Sequence, residues 1–257
     1  MIYLLLSVFF STSLFVIFKY FDIYKIDTLK AIVVNYIVAF ILGFVLAEES
    51  IAFANIPDQP WFFGALVLGL LFVSIFFVMA LTAQRKGVSV VSVAGKMSVV
   101  IPIIFGVILY NESLSTIKII GIILAIVAVY LASVKNNLEK HKKAGLLLPV
   151  ILFLGSGAID TTLKYVEINF VSENEVSIFS GSLFGFAGVF GLIILLFKTI
   201  QKREVFGVKN LIAGIVLGIP NYYSIVFLIK ALQTKGIESS TLFTINNVGI
   251  VVVSTLV

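Results

Sequence analysis

Apolar stretches of about 18 to 24 residues, recurring along the chain between short charged connections, constrain this sequence more than anything else in it. A helix rising about 1.5 Å per residue crosses a hydrocarbon layer of roughly 30 Å in about 20 residues. In lipid the backbone N–H and C=O groups must bond within their own segment, so stretches of this length are expected to be helical. Strands of a membrane barrel would alternate in polarity over about ten residues, and no such alternation is visible. Composition agrees: 60% of the 257 residues are hydrophobic and 12% charged, against roughly 25% charged in an ordinary soluble domain. The fold class read from the sequence is therefore all-α integral membrane.

Hydropathy divides the chain into nine visible spans, at residues 1–18, 29–46, 61–84, 87–109, 115–133, 145–163, 176–197, 208–232 and 236 to the end. The N-terminal MIYLLLSVFFSTSLFVIF has neither a basic leader nor an A-x-A-like cleavage site, so it reads as a retained first helix. The longest polar connection, KNNLEKHKKAG at 135–145, leaves no room for an extramembrane domain and marks the natural boundary between two halves. There is no cysteine, and the single His141 lies in that connection. Disulfides, thiolate metal sites and cysteine nucleophiles are thereby excluded, and no metal or cofactor is expected. The net charge of +5 comes from Lys and Arg placed mainly between spans, where they act as topology signals and give no support to nucleic-acid binding.

The halves carry signs of duplication, a common plan for carriers. An ungapped shift of 149 residues lays GALVLGLLFVSIFFVMALTAQRKG on AGIVLGIPNYYSIVFLIKALQTKG, pairing Gln84, Lys86 and Gly87 with Gln233, Lys235 and Gly236. Identities among Val and Leu carry little, but a polar Q-x-K-G at a helix junction is informative. A second match sets Phe18-Lys-Tyr-Phe-Asp-Ile23 against Leu163-Lys-Tyr-Val-Glu-Ile168, each closing the first helix of its half. The first half holds five spans, an odd number, so tandem duplication would invert the second half. The expected plan is two five-helix inverted repeats, residues 1–138 and 139–257, with the counterpart of the fifth span falling beyond Val257 as an expected tenth helix.

Five-helix halves, a Pro in the fourth helix, and a Glu just after it followed by a Gly-containing fifth helix resemble the EamA-type carriers of the drug/metabolite transporter superfamily. The residues that carry the resemblance are ALTAQRKGVSVVSVAGKMSVVIPIIFGVILYNESLSTIKIIGIILAIVAVYL, with Pro102, Glu112 and Gly121 at the characteristic places. The resemblance covers the whole chain and implies transport of a small molecule, with export of amino acids and other metabolites as the associated activity. In the second half Val251 stands where the repeat would put the counterpart of Pro102.

A charge inside hydrocarbon costs about 3 kcal/mol on insertion scales, so intramembrane ionisable groups usually face a cavity or a partner. Lys96 leads the candidates: about nine residues into its span, it lies roughly 14 Å deep, too far for easy snorkelling. It is expected to face a cavity between the halves and there to bind an anionic group or take part in proton coupling; the structural alternative is a Lys satisfied by helix carbonyls. Asp160 and Lys164, at i and i+4, share a helix face near a helix end and read as an interfacial ion pair with Lys164 snorkelling. Lys19 and Lys230 read as snorkelling anchors. The polar mid-span residues are Ser11 to Ser13, Asn35, Asn221 with Tyr222 and Tyr223, and Asn246 with Asn247. The 149-residue shift sets Asn246 and Asn247 opposite Met97 and Ser98, so Lys96, Ser98, Asn35, Asn221, Tyr222, Asn246 and Asn247 make the candidate substrate site. The bland reading is interhelical hydrogen bonding, worth about 0.6 kcal/mol each.

Pro220 can break the eighth span before Asn221 or only kink it. Gly181, Gly185, Gly188 and Gly191 form a small-residue stripe, and Gly214 and Gly218 a shorter one; both are packing surfaces first, and the stripe also offers a face for a homodimer. Glu112 can favour the N-terminus of the helix after it.

Basic residues concentrate in the first, third, fifth and seventh connections, which the positive-inside rule places in the cytoplasm with the N-terminus outside. Ten-helix relatives are expected to have both ends inside, so the two expectations conflict. Lys outnumbers Arg sixteen to two, the usage of an AT-rich bacterial genome, and the location expected is the bacterial inner membrane, multi-pass. The function expected is a secondary transporter working by alternating access on a small-molecule substrate. The alternatives are a membrane-embedded scaffold or sensor subunit, and a lipid-modifying membrane enzyme. The enzyme has little behind it: no H-E-x-x-H, no G-x-S-x-G and no cysteine occur, and without G-x-x-x-x-G-K-[ST] nothing points to ATP as the driver.

Overall fold

The structure, a computed structural model, describes residues 1–47, 53–86, 88–111, 113–135, 146–202, 207–234 and 236–256. The connection 136–145 with His141, and Gly87, Glu112 and Lys235, lie outside the described residues, as do the side chains of Lys19 and Gln84. Among the described residues there are ten α-helices, two 3₁₀ turns and no strand. The helices are α1 (Ile2–Ile23), α2 (Thr28–Val45), α3 (Phe62–Lys86), α4 (Val88–Met97), α5 (Val100–Tyr110), α6 (Thr116–Lys135), α7 (Leu147–Phe170), α8 (Val176–Lys202), α9 (Val208–Leu232) and α10 (Ser239–Leu256). Six segments are long and apolar enough to cross a membrane, and three shorter apolar helices, within α1, α6 and α10, accompany them. The protein is an all-helical, multi-pass membrane protein.

The fourth hydrophobic span is two helices, α4 and α5, and the reason is local. Pro102 has no N–H to give the carbonyl of Ser98, and its ring crowds that carbonyl. Ile101 N–H takes the Ser98 carbonyl instead at 2.9 Å, three residues apart, and Val99 N–H bonds Lys96 O at 3.4 Å. The chain is thus tightened, and the regular helix interrupted, at residues 98–99. Pro220 does not do the same, because α9 runs unbroken from Val208 to Leu232 with Pro220 inside it. Of the two alternatives open for Pro220, a break and a kink within a continuous helix, the structure excludes the break.

Helix α2 packs along α8 and α9, α3 along α8 and α7, α1 on α9 and α10, and α4 and α5 on α7. Among the described glycines the closest approach to another backbone is between α2 and α8, where a methyl group on Gly43 would stand 2.2 Å from Gly181 Cα. Gly185 faces Phe40, Gly188 faces Tyr36 and Gly191 faces Val33, so the glycine stripe of α8 is consumed by α2 within one chain. Gly214 and Gly218 of α9 meet the other side of α2, at Val34 and Val38.

The connections segregate to two ends of the bundle. At one end Asp27 caps α2, accepting from Leu29 N–H at 3.1 Å and Lys30 N–H at 3.2 Å, while Lys198 Nζ stands 3.8 Å from its carboxylate. Asp27 N–H in turn donates to Asn210 Oδ1 at 3.0 Å, joining the first connection to the seventh. At the other end Trp61 Nε1 donates to Glu175 at 3.4 Å, Gln233 Nε2 to the Val171 carbonyl at 3.5 Å, and Lys118 to Glu238. These contacts tie the second, fourth, sixth and eighth connections together. Two of the basic connections, the first and the seventh, therefore meet at one end, and the base-poor ones meet at the other.

Candidate functional site

Six helices, α1, α3, α4, α7, α9 and α10, enclose a cavity of about 140 Å³, room for roughly ten waters at about 10–15 Å³ each or for a small metabolite. Helices α2, α5, α6 and α8 contribute no residue to its lining. Its walls differ in chemistry. On α1 and α3 the lining is mainly apolar and aromatic, with Leu14, Phe18, Phe72, Phe76 and Met79. On α4, α7, α9 and α10 it carries Lys96, Ser156, Asp160, Asn221, Ser224, Asn246 and Asn247.

Lys96 is placed here by the helix break. It occupies the last turn of α4, where the unpaired carbonyls of a helix C-terminus favour a cation. Asp160, at mid-length of α7, lies within electrostatic reach of Lys96. The Asn247 side chain reaches the Asp160 carboxyl, although its Nδ2 falls short of a regular hydrogen bond. Asn246 Oδ1 also lacks a partner among the described residues. The cavity wall thus presents a positive group, a negative group and amide atoms with bonding capacity to spare, and a polar ligand can satisfy all of them.

Four of the seven residues expected from the sequence meet in this cavity: Lys96, Asn221, Asn246 and Asn247. The other three lie outside its lining. Asn35 is fully buried on α2, where its Oδ1 accepts from Asn221 Nδ2 at 3.0 Å, so it braces a cavity residue from behind. Ser98 sits in the α4–α5 turn with its Oγ on the Gly95 carbonyl at 2.6 Å. Tyr222 is buried beside Asn221, packed edge-on to Tyr223 at 5.3 Å between ring centres.

Asp160 was missed. Its spacing to Lys164 suggested an interfacial pair, and the structure corrects that reading: Asp160 lines the cavity. Lys164 does not snorkel either, since it is 1% exposed and its ammonium lies 4.8 Å from the centre of the Tyr110 ring. Depth was the available signal: Asp160 stands thirteen residues into α7, roughly 20 Å along it. Ser156, one turn earlier, had no signal above any other helical serine. Among the described residues no group of three or more His, Asp or Glu could hold a metal ion.

Residues 1–134 match the EamA-like transporter family. The chain is also similar to an uncharacterized protein of Haemophilus influenzae, 28% identical over 236 residues, which span 88% of this chain and 78% of that one. No solved structure matches it.

Proposed function

The chain belongs to the EamA-like transporter family, and from that premise we propose that it is a secondary carrier exporting a small metabolite, such as an amino acid, by alternating access around the central cavity. The observation that carries the reading is the cavity itself: a site at mid-depth with one positive group, one negative group and unsatisfied amides, opposite an aromatic wall. Lys96 receives a carboxylate, Asp160 an ammonium, Asn246 and Asn247 bond the polar atoms between them, and Phe18, Phe72 and Phe76 take the apolar part.

Alternating access needs two halves that rock against each other, and the inverted-repeat plan is part of the proposal. The lining supports it. Under the 145-residue offset of the K-Y match, Ser11, Leu14 and Phe18 correspond to Ser156, Ile159 and Leu163, and all six line the cavity. Under the 149-residue offset, Phe72, Ile75, Phe76 and Met79 correspond to Asn221, Ser224, Ile225 and Leu228, again all lining. Helix contacts interchange in the same way: α1 on α9 with α7 on α3, α2 on α9 with α8 on α3, and α1 on α10 with α7 on α4 and α5. Two of the equivalent pairs differ in polarity, Phe72 and Ile75 on α3 against Asn221 and Ser224 on α9, which gives a symmetric frame an asymmetric binding site. The proposed location is the bacterial inner membrane, with the basic face in the cytoplasm.

The test is counterflow. Purified protein in liposomes loaded with unlabelled amino acids is expected to draw in labelled amino acid from outside faster than empty liposomes do. No exchange with any amino acid, together with no resistance or excretion phenotype in an overexpressing strain, would sink the reading.

A further inference from the structure

Four ionisable residues form a file of alternating charge from the cavity to the base-poor end of α7. Lys96 and Asp160 face each other at the cavity. Lys164 follows Asp160 by four residues and Glu167 follows it by seven, so all three lie on one stripe of α7, about 10 Å from first to last. Glu167 is one turn from the end of α7, and Lys164 lies within its electrostatic reach. Both are withdrawn from the surface, Lys164 at 1% exposed and Glu167 at 5%, and Glu167 Oε2 has no hydrogen-bond partner among the described residues. The groups facing this pair from elsewhere are Tyr110 of α5, over whose ring Lys164 lies, and Gln233 just beyond α9, whose side chain reaches Glu167. Lys230 stands three residues before Gln233, in the last turn of α9. Glu175, in the turn after α7, is held by Ser172 and Trp61.

Glu167 is thus a buried carboxylate beyond the cavity, one lysine away from it, with an oxygen that no described residue bonds and that is free to take a proton. We propose that Glu167 is a proton-binding site that couples the carrier to a proton gradient, with Lys164 as the link to Asp160. The inference rests on the carrier reading above. With Glu167 ionised, the file of two cations and two anions is neutral. A proton on the Glu167 carboxylate gives it one excess positive charge and leaves Lys164 to Asp160. A substrate ammonium at Asp160 takes over that carboxylate, while the substrate carboxylate on Lys96 keeps the net charge unchanged, and this turns Lys164 back to Glu167, whose proton then leaves for water at the base-poor end. Holding both would leave Lys164 a buried cation with neither carboxylate free to pair with it, so proton and ammonium group exclude each other. Mutual exclusion at linked sites is the condition for exchange, and the coupling acts equally in both directions. An exporter driven by inward proton flow requires this sign.

The experiment uses the full chain in liposomes loaded with a mixture of radiolabelled amino acids, comparing wild type, Glu167→Gln and Glu167→Asp. In wild type an imposed pH gradient accelerates efflux. In Glu167→Gln counterflow exchange persists, and the acceleration by the gradient falls by roughly tenfold or more. Glu167→Asp restores part of that acceleration. Full gradient response in Glu167→Gln overturns the proposal, and so does equal loss of exchange and gradient response, which would make Glu167 structural. A separate arm needs no substrate: infrared difference spectra between acid and alkaline pH should contain a protonated-carboxyl band that Glu167→Gln lacks. If wild type shows no counterflow, the amino-acid carrier reading fails, while this band still supports Glu167 as a proton site, or, by its absence, overturns it.

Discussion

Gly43→Ala adds one methyl group at the tightest backbone contact of any described glycine. The new carbon would lie 2.2 Å from Gly181 Cα, 2.7 Å from Gly181 N and 2.9 Å from Ser177 O, all backbone atoms that no side-chain rotation can move. Ordinary contact starts at 3.4 Å, so α2 and α8 must separate by more than 1 Å over this stretch. A gap of about 0.5–1 Å already forfeits a quarter to a half of each dispersion contact. Overpacking of this kind costs about 1–3 kcal/mol, and the rigid backbone neighbours place Gly43 toward the upper end. The better helix propensity of Ala returns at most about 1 kcal/mol. Gly121 on α6 is the internal control, because a methyl group there meets nothing within 4 Å. Gly121→Ala should leave stability unchanged or raise it by up to about 1 kcal/mol. At about 2–4 °C per kcal/mol for a chain of this size, Gly43→Ala should unfold several degrees below wild type and Gly121→Ala at or slightly above it. Thermal unfolding in detergent, followed by the loss of the monodisperse peak on size exclusion, measures both. Equal midpoints for Gly43→Ala and wild type, or equal drops for the two variants, would refute the claim that the α2–α8 crossing is a backbone contact.

Lys96→Met leaves Asp160 facing the cavity without its counter-charge; counterflow should fall by at least tenfold while the protein still purifies as a single species, and unchanged exchange would remove Lys96 from the site. Asn35→Ala takes away the acceptor of the Asn221 amide without touching the cavity lining. It should cost about 1–3 kcal/mol if Asn221 stays buried and weaken substrate affinity more than maximal rate, which concentration-dependent uptake resolves. Glu238, at the base-poor end, is held down to about 2 by the Lys118 hydrogen bond first and the Ser113 N–H and hydroxyl next. A depressed folded pKa contributes stability that is fully present above about 4.5 and lost as pH falls toward 2. Glu238→Gln should therefore lower the unfolding temperature at pH 6, with the difference from wild type fading between pH 4.5 and 2 and shrinking in high salt.

The length and apolarity of its segments, read along the chain alone, determined that this protein is a helical membrane protein, because lipid leaves a backbone no other way to satisfy its hydrogen bonds. Lys96, Asn221, Asn246 and Asn247, which line the cavity, stood out in the sequence for a similar reason: polar groups at mid-span are costly unless something meets them. Which proline breaks its helix was not legible. Pro102 and Pro220 are equivalent as local chemistry, and only the packing around α4 and α9 separated them. The glycine stripe of α8 announced a close neighbour without saying whose; tertiary structure supplied α2 of the same chain. Asp160 shows the limit most clearly. Spacing along α7 gave it Lys164 as a partner four residues away, while Lys96 came to it from a helix sixty-four residues earlier in the chain, through a break that a proline made possible. Local periodicity fixes which residues share a helix face. What that face meets depends on how the helices assemble, and in this protein the assembly decided which charges stand together.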